Sequence, residues 1–208
     1  MMRSDRLALM AVLLGLGGCA GLSEQECQVS DWRTIGFEDG AAGRPVGNIG
    51  NYRQSCSKYG ITPNLDAYRS GHEEGAREFC KPGNGFEAGR NGARYAGVCP
   101  ADLEPEFLAA YNQGHHLYEL ESTLRATTQQ IAYKKDELEK LKKASISNAA
   151  AIVSDDTPAA DRAALLTQTA DNAKRQGELE KEISSLEATR VLQEQELLSY
   201  RATVADRL

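Results

Sequence analysis

From Leu117 onward, apolar residues recur in alternating steps of three and four. Leu117, Leu120, Leu124, Thr127, Ile131, Lys134, Leu138 and Leu141 form a heptad seam with two polar interruptions. After "KKASISNAAAIVSDDTPAAD" a second series runs through Leu179, Ile183, Leu186, Arg190, Gln193, Leu197, Tyr200 and Val204. Between the two, Thr157 is a candidate N-cap with Pro158 at the first helical position, a combination that starts a helix. A seam, a break and a second seam predict an antiparallel coiled-coil hairpin. One interrupted helix pairing with a second copy of the chain is the alternative. At ~1.5 Å per residue, a first arm of about forty residues would reach ~60 Å. Arg190 and Gln193 weaken the second seam locally and can fix its register. Ile146, Ile152 and Val153 at the bend form a candidate tip for meeting a partner protein.

Upstream the periodicity is carried by glycine. "GFEDGAAGR" at 36 to 44 and "GFEAGRNGAR" at 85 to 94 place glycine at the same three offsets, and "GHEEGAREF" at 71 to 79 keeps the first two. Trp32, Ile35, Gly36, Gly40 and Gly43 follow helical steps, so glycines and large apolar residues share one face of a helix that Ser30 can cap. Each glycine costs a helix ~1 kcal/mol relative to alanine. Something must therefore lie very close against that face. Either a neighbouring helix or ring packs on it, or the exposed backbone forms a groove for a glycan strand or extended peptide. In the second case the binding face comprises Trp32, Gly36, Asp39, Gly40, Gly85, Phe86 and Gly89. Thr62 and Pro63 open a middle helix running toward Cys80. "KPGNGFEAGRNGARYAGVCP" is so rich in glycine and proline that it predicts a compact loop with a short turn of helix, closed by Cys99. Asp102 is then the expected cap of the long helix, with Pro105 tolerated in its first turn.

The N-terminus sets the expected location. Arg3 and Arg6 precede the apolar run "LALMAVLLGLG", which ends at "LGGC"; this is the pattern of a secretory signal. The run is about half the ~20 residues needed to span a bilayer as a helix. "LGGC" resembles a lipobox, at which bacterial lipoproteins are cleaved and the cysteine, here Cys19, is acylated. Several acyl chains on one residue give stable anchoring, where one chain is marginal. Ala20, rather than aspartate, follows the cysteine, which by the same resemblance implies an outer-membrane anchor facing the periplasm. The expected organisation is a signal peptide over 1–18, a lipidated tether over 19–29, a cysteine- and glycine-rich head over 30–116 and a hairpin over 117–208. The predicted fold class is all-α.

Composition sharpens this picture in three places. Most aromatic residues lie between Trp32 and Tyr118, and the chain then turns to Leu, Ala, Glu, Lys and Gln, which marks a compact head and an extended tail. Five cysteines, less Cys19, leave Cys27, Cys56, Cys80 and Cys99, an even number in an oxidising compartment and hence two disulfides. Three connectivities are possible. Cys27 with Cys56 and Cys80 with Cys99 are favoured, because each closes a loop of a few tens of residues. A zinc site is disfavoured by the absence of any CxxC knuckle. The net charge of −6, with no basic patch, argues against nucleic acid.

No residues spell out a reaction. His115 and His116 are adjacent on a helix and point ~100° apart, so a metal site with His72, Glu73 and Glu74 needs the middle helix beside Gly114. Glu38, Asp39 and Glu87 could supply paired carboxylates for glycan cleavage, but such acids occur on most soluble helices. The expectation is a non-enzymatic structural or interaction protein without metal or cofactor. A peptidoglycan-binding head is the alternative, and an enzyme acting on envelope glycan comes third.

"DWRTIGFEDGAAGR", "GITPNLDAYRSGHEEGAREFC", "NGFEAGRNGARYAGVCP" and "FLAAYNQGHHLYEL" together resemble the proteobacterial family known as domain of unknown function 2799, over about residues 27 to 120. The Asp31 and Trp32 pair, Asp39 with Gly40, the Gly-Phe-Glu loop and the Cys99 and Pro100 pair carry the resemblance. It implies an envelope lipoprotein of unassigned activity and supplies no catalytic residues.

Overall fold

A computed structural model of the chain describes residues 22–205, and among these every regular element is helical. The helices are α1 (Glu24–Val29), α2 (Trp32–Ala41), α3 (Ile49–Ser57), α4 (Leu65–Phe79), α5 (Pro82–Arg90), α6 (Glu104–Ile152) and α7 (Ala159–Ala205), with a 3-10 turn at Val46–Asn48 before α3. No described helix is long and apolar enough to cross a membrane. Two compact units divide the chain: residues 22–79 with Ala96–Val98, and Cys80–Tyr95 with the residues from Cys99 onward.

In the first unit, α1 lies within the stretch expected as a tether. It is started by a reciprocal capping box, in which the Ser23 side chain accepts from Glu26 N and the Glu26 carboxylate accepts from Ser23 N. Its Cys27 is bonded to Cys56 at the end of α3. The core gathers Cys27, Trp32, Ile49, Cys56 and Tyr68. Asp31, not the expected Ser30, caps α2: its carboxylate accepts from Arg33 N and the Thr34 hydroxyl, while the Ser30 hydroxyl turns back to Glu26 O. Asn64 rather than Thr62 starts α4, accepting from Ala67 N.

The glycines bring α2 and α4 into backbone contact. Gly36 and Gly40 lie on the carbonyls of Tyr68 and His72, and reciprocally Gly71 and Gly75 lie on the carbonyls of Arg33 and Phe37. A Cβ at Gly75 would sit 2.7 Å from Ala41 N and closer still to Phe37 O. Only glycine permits two helices to approach this closely, with Cα hydrogens directed at the opposing carbonyls. Gly43 then turns the chain at a φ of +69°, with the Phe79 ring filling the place of its side chain.

The second unit repeats this device. Gly85 and Gly89 of α5 lie on the carbonyls of Phe107 and Tyr111 of α6, Gly114 lies on that of Phe86, and Gly92, φ +67°, is covered by the Tyr118 ring. Cys80 and Cys99 are bonded and precede α5 and α6 as Cys27 and Cys56 precede α2 and α4. Even a polar contact recurs. His72 Nε2 meets Arg44 O at 2.7 Å, and at the corresponding places Tyr111 donates to Ala93 O at 2.8 Å. The shared offsets of "GFEDGAAGR" and "GFEAGRNGAR" thus mark one helix-pair module present twice. The segment expected as a loop is consequently the nine-residue helix α5, because packing on Gly114 outweighs the poor helix propensity of its glycines.

α6, whose first turns form this crossing, is 49 residues long, and α7 returns along it antiparallel. Cross-helix pairs run in opposite directions along the two chains: Tyr200 to Gln113 O, Arg201 to Glu121, Lys134 to Glu182, Arg175 to Glu137 and Gln176 to Ser145. The expected seam is buried at Leu117, Thr127, Ile131 and Leu138 on one arm and at Leu179, Ile183, Leu197 and Val204 on the other. The hairpin therefore closes within one chain. Arg190 pairs with Glu194 at 3.4 Å, but among the described residues Arg190 Nε and Gln193 Oε1 are buried without a hydrogen-bond partner, which makes this the weak stretch of the seam. Two expected caps shift: Leu103 rather than Asp102 precedes α6, and the Thr157 hydroxyl closes the C-terminal end of α6 by donating to Ala151 O.

Candidate functional site

The expected lipid site, Cys19, and the whole signal sequence lie outside the described residues. The residues expected to offer a binding face are all placed, and all are enclosed. Trp32, Asp39 and Phe86 are buried, and Gly36, Gly40, Gly85 and Gly89 are pressed onto the backbone of the opposing helix. The glycines act as packing devices, and no open groove runs along them. Phe86 belongs to the core formed with Leu117, Leu197 and Val204.

Asp39 is the chemically distinctive member of this set. It stands on the glycine face of α2 between Gly36 and Gly40 and is 1% exposed. Its Oδ2 accepts from Tyr68 at 2.7 Å and Asn48 at 2.6 Å, and its Oδ1 accepts from Arg44 at 2.7 Å and Tyr52 at 3.2 Å. Burial pushes its pKa up, but the hydrogen bonds from Asn48, Tyr68, Arg44 and Tyr52 outweigh burial and hold it below the usual carboxylate value. The same carboxylate, after burial, raises the pKa of the Tyr52 and Tyr68 hydroxyls. Every acceptor site is occupied by protein and none faces solvent. The cluster ties the Gly43–Tyr52 connection to the helix pair. In the second unit the equivalent positions are Ala88 and Phe107, so acid and hydroxyl are absent together, and the hydroxyl of Tyr95 instead donates to Glu104 and accepts from Cys99 N.

This assignment predicts the behaviour of Asp39→Asn. The amide cannot accept from all four donors, and the Tyr68 hydroxyl, 0% exposed, loses its partner. We expect a loss of about 2–4 kcal/mol at pH 7 in urea unfolding followed by Trp32 fluorescence. Because the folded pKa is depressed, the stabilisation is complete above the unfolded carboxylate pKa and is lost as pH falls through the folded value. The gap between wild type and variant should therefore narrow toward acid, and an equal gap at pH 7 and pH 2.5 would refute the role given to the ionised carboxylate.

The histidines do not assemble a metal site. His72 is buried against Arg44 O, while His115 and His116 each approach Glu119, at 3.4 and 3.7 Å. Among the described residues no group of three or more His, Cys, Asp or Glu side chains comes together. Glu38 and Glu87 are exposed on their helices, and Glu87 pairs with Arg90 at 3.6 Å.

Open features also lie away from the glycine crossings. In the first unit, Gly50, Arg53, Gln54 and Ser57 of α3 and the Gly60–Pro63 loop line a groove of about 430 Å³. A Cβ at Gly50 or Gly60 would meet nothing within 4 Å, and Gly60 is fixed instead by its turn, at a φ of +71°. In the second unit the hairpin tip exposes Ile146 and Val153, 71% and 80%, with Ile152 half-buried. Arg162 fixes the tip by donating to Ser154 O and Thr157 O at 2.8 and 3.0 Å. The sequence places Ile146 and Val153 at the bend, where both are exposed, and gives no sign of Arg162 or of the four partners of Asp39. An acid on a face otherwise made of glycine and aromatic residues was the available signal that buried partners must exist.

No curated protein and no solved structure matches the chain. Residues 31–116, which span both helix-pair crossings from the cap of α2 into α6, match the family model DUF2799, protein of unknown function, and this match supports the assignment of that segment to the family.

Proposed function

We propose that the protein is a lipid-anchored scaffold of the bacterial envelope, acylated at Cys19, held at the outer membrane on its periplasmic side, and meeting a protein partner through the hairpin tip. The lipobox resemblance of "LGGC" supports the anchor, and the two disulfides fit an oxidising compartment. The observation that carries the interaction role is the tip. Ile146, near the end of α6, and Val153, at its C-cap, are large apolar side chains standing in solvent beside a turn that Arg162 holds in one arrangement. A preformed apolar end on a long helical arm has the form of a docking element and lacks the enclosed polar constellation that chemistry requires.

Two measurements test this. Cys19→Ala should leave the protein in the soluble periplasmic fraction and abolish labelling by a palmitate analogue; unchanged membrane association would remove the anchor. A photo-crosslinking residue at Val153 in the native host should capture protein, whereas one at exposed Tyr133 should not. A glycan-binding role is supported by the groove beside Arg53, whose open glycines admit backbone contact with an extended ligand. Co-sedimentation with purified sacculi, reduced by Arg53→Ala, would favour that reading over the scaffold.

A further inference from the structure

α6 ends in an apolar stripe that the hairpin does not cover. Ile146, Ala149, Ala150 and Val153 follow steps of three, one and three, so they share one face of the helix, and all four are exposed. Charges of opposite sign bracket the stripe. Lys142 and Lys143 precede it on the same face, and Asp155 and Asp156 follow it in the turn after α6. Lys142 is engaged within the chain, reaching Glu139 at 3.7 Å and Glu180 at 4.0 Å. Lys143 and the two aspartates are exposed and make no ion pair among the described residues.

We propose that this stripe is the docking surface for a second copy of the same chain, laid antiparallel tip to tip about a two-fold axis passing between Ala149 and Ala150. The proposal rests on the reading of the tip as the interaction element and names its partner. Under that axis Ile146 meets Val153 of the second copy, the small alanines meet at the centre where backbones come closest, and Lys143 faces the acidic turn of the second copy that carries Asp155 and Asp156. A two-fold interface must be self-complementary: whatever stands before the axis must suit what stands after it. A stripe with the cation Lys143 at one end, the anions Asp155 and Asp156 at the other and apolar residues between meets that requirement with no other molecule. A foreign acidic or basic surface would match one end and be repelled by the other. Anionic lipid is disfavoured for the same reason, since Asp155 and Asp156 are exposed in the turn beside the stripe. A stripe two turns long buries little area, so the association is weak. Tethering of both copies to one membrane would raise their effective concentration enough to populate it.

The test uses the complete chain after the signal sequence, with Cys19→Ser, in sedimentation equilibrium over a concentration series. A monomer–dimer equilibrium that weakens with salt is expected. Lys143→Asp should weaken it about tenfold, because each substitution removes two symmetry-related pairs and sets like charges opposite one another. Asp156→Lys should do the same, and the double variant should recover at least part of the loss. That recovery cannot come from a general disturbance of the tip, and unchanged far-UV helicity in each variant checks folding. A photo-crosslinker at Val153 should yield a homodimer. A chain that stays monomeric at about 1 mM, or a double variant weaker than either single one, overturns the proposal. Crosslinking from Val153 to a different protein overturns the second copy as occupant and leaves the scaffold reading intact, whereas no protein adduct from Val153 removes both.

Discussion

Gly75→Ala should destabilise the first unit by about 3 kcal/mol, although the same substitution at Gly177 should stabilise the hairpin by about 0.5 to 1 kcal/mol. Both glycines stand inside long helices, where alanine is intrinsically better by up to ~1 kcal/mol. The difference lies in what the new methyl group meets. At Gly177 nothing lies within 4 Å. At Gly75 the Cβ would press on Phe37 O and stand 2.7 Å from Ala41 N, atoms of a helix backbone that cannot rotate aside. Relief requires α2 and α4 to separate along their whole crossing, which also loosens Gly36, Gly40 and Gly71, and overpacking of this kind costs 1–3 kcal/mol or more. Trp32, the chain's one tryptophan, is buried in the first unit and reports its unfolding by fluorescence. Far-UV circular dichroism, dominated by α6 and α7, reports the hairpin. Effects of the same sign at the two positions would refute backbone contact as the reason for the repeated glycines.

Removing the first disulfide should have an effect of similar size. Replacing Cys27 and Cys56 together by alanine frees a loop with a sequence separation of 29, for which chain entropy gives about 3 to 4 kcal/mol. The bond also fastens short α1, six residues long, to α3, and α1 has few other means of staying folded. The first unit is small and its core is correspondingly modest. We expect the variant to unfold by Trp32 fluorescence at a clearly lower urea concentration than wild type, while hairpin helicity persists to the wild-type midpoint. The second disulfide, with a separation of 19, should give a slightly smaller loss, and there α6 and α7 continue to hold the module in place. A Trp32 transition that does not move in the first variant would show that the bond is dispensable to the core. Coincident loss of both signals would show that the two units unfold as one.

How much of this could be read beforehand differs from element to element. The hairpin was legible because a heptad seam is a local property: Leu117, Ile131 and Leu138 announce a buried face by spacing alone, and Leu179, Ile183 and Leu197 announce its mate. The short loop between α6 and α7 leaves antiparallel return within one chain as the simplest geometry. The disulfide pairing was favoured by loop length and is the one observed. Helix starts were less legible. Ser30 and Asp31, Thr62 and Asn64, and Asp102 and Leu103 are close neighbours, and which one caps depends on a turn of backbone that composition does not encode.

The glycine repeat shows where local reading ends. Sequence alone determined that the chain is all-α, that four cysteines can form two bonds, that a long hairpin ends in Ile146 and Val153, and that something must lie against the face of Gly36 and Gly40. Only the tertiary structure decided what that something is: a second glycine-bearing helix in each unit, close enough to exclude any ligand. It also decided that "PGNGFEAGR" is helical, because the free energy that holds it so comes from α6, far along the chain, and outweighs a local preference for loop. Asp39 follows the same rule. Its position was visible, but its partners Arg44, Asn48, Tyr52 and Tyr68 converge only once α2, α3 and α4 have packed, and burial then turns an ordinary acid into the fastening of the first module.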